Sequence, residues 1–337
     1  MSPGMASQKD IARLAQVSQS VVSRVLNGRA RDFGISEDTI ARIRAIADAL
    51  DYQPNQVARM LLGRETRLVA VIVRSFEDHF LGTMLEELNA RALAAGYTLL
   101  VVGFKDGQYN WDEIRLLQSY RPDAFIVVGS TDFASWDKEF LSSGKLIIQV
   151  GKPTDDERII SCGTDEAAAA RLLVDHLVGL GHATFGIVGD ATAVSRLRTQ
   201  ALKQALRERG LAAPPSYSYL SDQQSIAAGT DAGAYFSQDR NRTNWPTAIV
   251  ATGDLIALSF IRRIAEDGVT VPDFVSVASY NDIVSAALSR PSLTTIRQPV
   301  RRLAAASMDI VIGNAPRKSI VLPPELAVRE STAPPRH

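Results

Sequence analysis

The chain has 337 residues, 46% of them hydrophobic and 22% charged, with 37 Lys/Arg against 37 Asp/Glu. That is enough chain for two or three domains with full cores, and its composition is globular rather than disordered or fibrous. A single cysteine, Cys162, excludes an internal disulfide framework, and no run approaches the ~18 apolar residues of a membrane span.

The charge balance hides an asymmetry. Residues 1–67 hold ten Lys/Arg against seven Asp/Glu, and the remainder holds 27 against 30. Within 9–31, Lys9, Arg13, Arg24, Arg29 and Arg31 face Asp10 alone. Positive charge is gathered where phosphates would need it. The opening run MSPGMASQKD has no apolar signal-type stretch. With the lone thiol, this leads us to expect a cytoplasmic location.

The run KDIARLAQVSQSVVSRVLN, Lys9 to Asn27, predicts two short helices. Ile11, Leu14 and Ala15 recur at helical spacing, as do Val21, Val22, Val25 and Leu26. Between them lies a break at Gln16, Val17 and Ser18. Ser18 stands where its hydroxyl can cap the second helix. That helix turns Gln19, Ser20, Ser23, Arg24 and Asn27 outward, and these side chains suit base edges and phosphates in a major groove. The pattern reads as a helix-turn-helix; the competing reading is a surface helical hairpin with ordinary polar cover. Ser36 is placed to cap a third helix, with Ile40, Ile43, Ala47 and Leu50 on its inner side. Pro54 suits the start of a fourth helix and Gly63 its end. At eight residues, Asn55 to Leu62, that helix is too short to be stable alone. It is expected to order only against a partner or a groove.

From Leu68 the pattern changes. Apolar runs LVAVIV (68–73), TLLVV (98–102), AFIVV (124–128), LIIQV (146–150), FGIVG (185–189), AIVAT (248–252) and VSVAS (275–279) lack polar alternation. This is expected of parallel strands buried on both faces. Leu81, Leu85, Leu88 and Ala92 mark a helix between the first two. The alternation predicts doubly wound α/β sheets, and the length favours two lobes over one. Cys162, in the apolar run IISC, is expected to be a buried small hydrophobe. Enzyme signatures are absent from the sequence: no phosphate loop, no GxSxG elbow, no HExxH and no GxGxxG after the first strand. His79, His176, His182 and His337 lack metal-ligand spacing, and Gly181-His182 reads as a structural turn. No catalytic residue, metal or cofactor is expected.

Taken together, the D-I-A-x-x-A-x-V-S-x-x-x-V-S-R-V-L-N run from Asp10 to Asn27 and the hinge pattern Tyr52, Pro54, Asn55, Ala58, Arg59, Leu61 resemble the LacI family of bacterial transcription regulators. So do Pro122-Asp123, Gly181-His182, Pro246-Thr247-Ala248, the LTTIRQP run 293–299 and the LPPEL run 322–326. The resemblance covers residues 8 to about 332. It implies a small all-α helix-turn-helix domain at 8–53 and a hinge helix and linker at 54–63. Beyond them it implies a two-lobed α/β domain like a periplasmic binding protein. Its first lobe would be 67–165 with 299–328, and its second 166–298 with 329–337.

The same resemblance implies the site residues. DNA contacts fall on Ser18, Gln19, Ser20, Ser23, Arg24, Asn27, Asn55, Ala58 and Leu61. Arg24 and Gln19, helped by Ser20, would read bases, while Ser18, Ser23, Asn27 and Asn55 would hold phosphates and Leu61 would wedge a base step. A small-molecule effector between the lobes would meet Ser75, Phe80, Ser130, Lys152, Asp165, Arg198, Asp254 and Asn281. The chain departs from the family pattern at three effector positions: relatives often carry aspartate at the positions of Gly151 and Asn281, and sugar binders asparagine at that of Gly253. With those carboxylates missing, Lys152 and Arg198 would be unpaired cations and would favour an anionic sugar derivative over a neutral sugar; the competing reading has Lys152 facing solvent or paired with Asp165, which leaves an ordinary neutral-sugar site. The turn GRARDFGI after Asn27 is also longer than the family's, and its Arg29 and Arg31 read equally as phosphate contacts or as a solvated loop. The expected protein is a cytoplasmic homodimeric repressor on a pseudo-palindromic double-stranded DNA operator, without a membrane partner. An activator of the same architecture, or a ligand-binding protein without DNA function, are the alternative readings.

Overall fold

The structure is a computed structural model. It describes residues 7–26, 28–52, 66–73, 76, 79–103, 111–129, 141, 144–151, 154, 156–239 and 245–336. The chain forms two compact units, Met1–Thr66 and Arg67–His337.

In the small unit, α1 spans Gln8–Leu14, α2 Gln19–Leu26 and α3 Glu37–Ala49, with a 3-10 turn at Arg31–Phe33. Each helix starts where a side chain can satisfy its free N–H groups. Ser7 and Asp10 cap α1 reciprocally, the Val21 N–H donates to Ser18 Oγ at 3.4 Å, and the Thr39 N–H donates to Ser36 Oγ at 3.4 Å. Between α1 and α2 the chain reverses through Gln16, whose φ of 52° lies in the left-handed region. Ile11, Ala15, Val22, Val25, Ile40, Ile43 and Ala47 close one core, and Ala30 from the long turn joins it. Leu14 departs from the expected apolar row. It is 53% exposed, and the buried position is taken by Ala12.

The large unit is built from strand–helix alternation. In chain order it holds β1 (Leu68–Val73), α4 (His79–Ala94), β2 (Thr98–Gly103), α5 (Trp111–Ser119), β3 (Ala124–Val128), β4 (Leu146–Val150) and β5 (Ile159–Thr164). Then come α6 (Glu166–Gly179), β6 (Phe185–Asp190), α7 (Ala193–Glu208), β7 (Ser218–Ser221), α8 (Ser225–Phe236), β8 (Ala248–Ala251) and α9 (Asp254–Ala265). The last elements are β9 (Ser276–Asn281), α10 (Val284–Leu288), β10 (Thr294–Arg297), α11 (Val300–Val311), β11 (Ile320–Leu322) and β12 (Glu325–Ala327).

Two six-stranded sheets result, in the orders β11-β5-β4-β3-β1-β2 and β12-β10-β9-β8-β6-β7. All pairings are parallel except that of β12 with β10. The chain passes between sheets after β5, after β10 and at Pro323–Pro324. The last crossing lies before the 328 boundary expected from the sequence, because β12 pairs in the second sheet. Helix α11 returns to the first sheet, where Leu303, Ala304 and Met308 share a core with Leu81, Met84, Leu88 and Ala92 of α4.

Burial on both faces holds for β1, β3 and β4 but not for β2. Among the described residues that strand sits at a sheet edge with β1 as its single strand neighbour, and Val101 is 37% exposed. Cys162 is fully buried in β5, and burial pushes its thiol pKa up, as an inert small hydrophobe requires. Gly181, at φ 99°, makes the turn before β6. His182 ties that turn to Thr247 Oγ1 at 3.0 Å, Ser276 Oγ at 3.1 Å and the Ala333 carbonyl at 2.9 Å.

Candidate nucleic-acid interface and effector site

Helix α2 carries Gln19, Ser20 and Arg24 exposed, with Ser23 half-buried between them and the core residues Val22 and Val25. Ser18 precedes the helix, its hydroxyl 2.8 Å from that of Ser20. The split is a consequence of helical spacing: Val22 and Val25 fix the inner face, so Gln19, Ser20 and Arg24 must look outward. The guanidinium of Arg24 stacks on the Phe33 ring, 3.9 Å from its centroid. Arg29 pairs with Asp32 at 3.6 Å and Arg31 with Glu37 at 3.1 Å. Both arginines of the long turn thus have an acid at ion-pair distance, Asp32 in the turn and Glu37 at the start of α3. Asn27, Asn55, Ala58 and Leu61, with the hinge segment 53–65, lie outside the described residues.

Ligands in doubly wound folds sit beyond the carboxyl ends of the strands. There the large unit brings several predicted residues close to one another. Arg198, on α7 and 4% exposed, forms an ion pair with Glu166 at 3.2 Å, donates to the Thr252 carbonyl at 2.8 Å and lies 4.6 Å over the Tyr280 ring. Burial pushes the Tyr280 phenol pKa up, so the ring beneath the guanidinium stays neutral. Asn281 ends β9 at φ 117° and accepts from Gln298 Nε2 at 2.8 Å; Gln298 in turn accepts from Thr164 Oγ1 at 3.2 Å. A chain of side chains therefore runs from the end of β9 to the end of β5.

Two expectations need correction. Arg198 is not an unpaired cation, because Glu166, the first residue of α6, neutralises it. It therefore gives no pull towards an anionic effector. Lys152 lies outside the described residues along with Ser75 and Ser130, and the Phe80 side chain is likewise not described. Asp254 is fully buried, and its carboxylate accepts from Ser279 Oγ, from Thr295 Oγ1 at 2.6 Å and from the Ile283 N–H at 2.8 Å. Burial pushes its pKa up against those three donors. With its oxygens already filled, Asp254 pins α9 to β9 and β10 rather than lining a ligand site. Asp165 is half-buried and accepts from the Ala168 N–H at 2.8 Å as the N-cap of α6.

Backbone geometry explains a family departure. Gly151 follows β4 at φ 122°, a conformation that an aspartate side chain rarely takes. Its carbonyl oxygen also lies 2.8 Å from where a Cβ on Gly163 would sit, so two neighbouring strand ends need glycine together. Gly253 differs: a Cβ there would meet Asn281 Nδ2 at 3.8 Å and Ile256 Cδ1 at 3.9 Å, both ordinary contact distances, so a side chain is not excluded by the backbone.

Sequence reasoning missed Glu166, Gln298 and Gln149. Gln149 is fully buried one residue before the end of β4, and neither amide atom has a hydrogen-bond partner among the described residues. Its signal was a lone amide in the apolar run LIIQV. Glu166 had no signal, since its partner is 32 positions away. Among the described residues no group of His, Cys, Asp or Glu could hold a metal ion, and no helix is long and apolar enough to cross a membrane.

Known proteins resemble the chain along its whole length. Residues 7–55 match the family model described as bacterial regulatory proteins, lacI family, and residues 174–332 match a periplasmic binding protein-like domain. The HTH-type transcriptional regulator DegA of Bacillus subtilis is 29% identical over 96% of this chain and 97% of its own length. The HTH-type transcriptional repressor PurR of Photobacterium profundum is 28% identical over 97% and 98%. The crystal structure of the Lac repressor dimer bound to operator and the anti-inducer ONPF superposes with a TM-score of 0.81 at 25% identity, over 97% of this chain and 99% of that one.

Proposed function

From the premise that this chain belongs to the LacI family of bacterial regulatory proteins, transcription regulators that join a DNA-binding domain to a ligand-binding domain, we propose that it is a dimeric cytoplasmic repressor. Its hold on an operator is set by a small polar metabolite bound in the large unit. The observation that carries the DNA half is the outward row Gln19, Ser20 and Arg24 on a capped helix with a fully apolar inner face. Arg24 and Gln19 reach base edges, helped by Ser20, while Ser18, Ser23, Asn27 and Asn55 hold phosphates. Residues 55–62 order as hinge helices on the operator, with Ala58 allowing close approach and Leu61 entering a base step.

The effector half rests on the strand-end cluster. Arg198 and Glu166 cancel in charge, while the Gln149 amide, Asn281 and Gln298 supply neutral hydrogen-bonding groups. A neutral polyhydroxylated ligand suits that balance better than an anion, because buried amides are satisfied by hydroxyls at no charge-burial cost. Asp165, with Ser75, Ser130 and Lys152 from the segments after the first-sheet strands and Phe80 from the start of α4, completes the proposed lining.

Selection from random double-stranded DNA with the full-length protein tests the first half. A two-fold symmetric site is expected, since a closed dimer presents two identical helices; an asymmetric unrepeated site overturns the dimer reading. Titration with a neutral sugar and its matching uronate at two salt concentrations tests the second. Preference for the neutral form, insensitive to salt, is expected, and salt-sensitive preference for the uronate restores the anionic reading.

A further inference from the structure

We propose that Phe33, on the long turn after the recognition helix, is a specificity-determining positioning residue: its ring holds the Arg24 guanidinium in a fixed, base-reading orientation. The inference rests on the DNA reading above and goes beyond it, because no residue of this turn was assigned a role there.

The turn is built to hold that ring still. Its first half is tied to α2 by the Arg29 N–H, which donates to the Arg24 carbonyl at 2.9 Å. Its middle is anchored by Ala30, buried in the small unit's core, and closed by the Ile35 N–H donating to the Ala30 carbonyl at 3.1 Å. Left-handed glycines stand on either side, Gly28 at φ 73° and Gly34 at φ 64°, which let the chain enter and leave the 3-10 turn sharply. Phe33 is the last residue of that turn and is 48% exposed. A lone exposed apolar residue is ordinary. This one lies face-on beneath a guanidinium at 3.9 Å.

The charges around it sharpen the case. Arg29 and Arg31 each have a carboxylate at ion-pair distance, on Asp32 and Glu37. Arg24 has none among the described residues. Contact of the guanidinium with the ring face at 3.9 Å limits the rotamers open to Arg24. A bidentate contact to a base then costs less ordering, and the donors arrive at one angle. A positioned fork discriminates between bases, whereas a freely rotating one finds phosphates as readily.

The test is a double-mutant cycle on the full-length protein with the operator recovered by selection. Phe33→Leu keeps size and apolarity but removes the aromatic face; Phe33→Tyr keeps the face. Phe33→Leu is expected to lower operator affinity two- to fivefold and to broaden base preference at the position that Arg24→Ala also relaxes. Phe33→Tyr should restore both. In the Arg24→Ala background, Phe33→Leu should change nothing further. Equal loss in both backgrounds shows that Phe33 acts independently of Arg24 and overturns the proposal, as does an unchanged base preference in Phe33→Leu. Circular dichroism of each variant separates loss of fold from loss of reading, and Phe33→Tyr binding like Phe33→Leu also counts against it. A chain that selects no DNA sequence fails the parent reading, and this inference falls with it. A chain that selects a site without Arg24–Phe33 coupling fails this inference alone.

Discussion

The two units treat their polar side chains in opposite ways. In the small unit the polar row of α2 faces outward: Gln19, Ser20 and Arg24 are exposed, and the core cluster behind them is apolar. In the large unit the charged groups of interest are buried and matched from within: Arg198 to Glu166, and Asp254 to Ser279, Thr295 and the Ile283 N–H. The first arrangement suits a partner that brings its own charge in bulk, as a phosphate backbone does. The second suits a small ligand that must exchange for internal partners one hydrogen bond at a time. The consequence for mutation is direct. Outward groups should affect binding with little change in stability, and inward groups should affect stability first.

The largest effect should therefore fall in the large unit. Arg198→Ala strands Glu166 in a nearly buried site, and losing one member of such a pair is expected to cost about 3–5 kcal/mol. Urea denaturation of the full chain measures it. Replacing both partners by apolar residues of similar size, as in Arg198→Met with Glu166→Leu, should recover most of the loss. If the double variant is no better than the single, the ion pair is not what stabilises this strand-end cluster.

Arg24→Ala should reverse the pattern. Operator affinity falls by about 1–3 kcal/mol with relaxed preference at one base pair of each half-site, while the unfolding midpoint stays within about 0.5 kcal/mol. A stability loss as large as the affinity loss would place Arg24 with the inward groups and erase the contrast.

This contrast also explains what was legible in the sequence. The α2 row could be read because Val22 and Val25 fix the inner face of one short helix, and everything else on it faces out. The strands β1 and β3 were legible for the same local reason, as unbroken apolar runs, and β4 as a run broken at Gln149 alone. Leu14 was misread because it shares the spacing of Ile11 and Ala15, while the small side chain of Ala12 fills the core instead. Strands β5, β7 and β10 to β12 carry polar residues or only three or four positions, too few for periodicity to show. The pairing of Arg198 with Glu166, and of Asp254 with Ser279 and Thr295, depends on the order in which strands meet, which no local pattern encodes. Gln149 was visible as a polar residue in an apolar run, but only burial without a partner among the described residues gives it meaning.

A smaller effect is expected from pH. Burial holds the pKa of both His176 and His182 below the ordinary 6.5, so both stay neutral in the folded chain. The unfolded chain takes up these protons first. Stability from this source is therefore complete above about 6.5 and is lost as pH falls through the lowered folded values. The urea midpoint should drop between pH 7 and pH 5.5, and His182→Asn should show a shallower drop from a lower starting point. An equal slope in that variant would assign the acid sensitivity to other groups.

The smallest effect should come from the turn arginines, and it bears on where the outward class ends. Arg29 and Arg31 are exposed and look like phosphate contacts by charge alone, yet each already faces an acid, Asp32 within the turn and Glu37 at the start of α3. Surface pairs of this kind contribute about 0–1 kcal/mol, so Arg29→Gln and Arg31→Gln should leave the unfolding midpoint nearly unchanged. Their effect on DNA decides their class. Removing a cation that neutralises one phosphate makes the slope of log K against log salt shallower by about 0.9. With Asp32 and Glu37 as standing partners, the slope should stay unchanged for both variants. A slope shallower by about 0.9 for Arg31→Gln would mean that the pair opens on the operator. The turn would then meet the backbone with charge as well as hold Phe33 under Arg24.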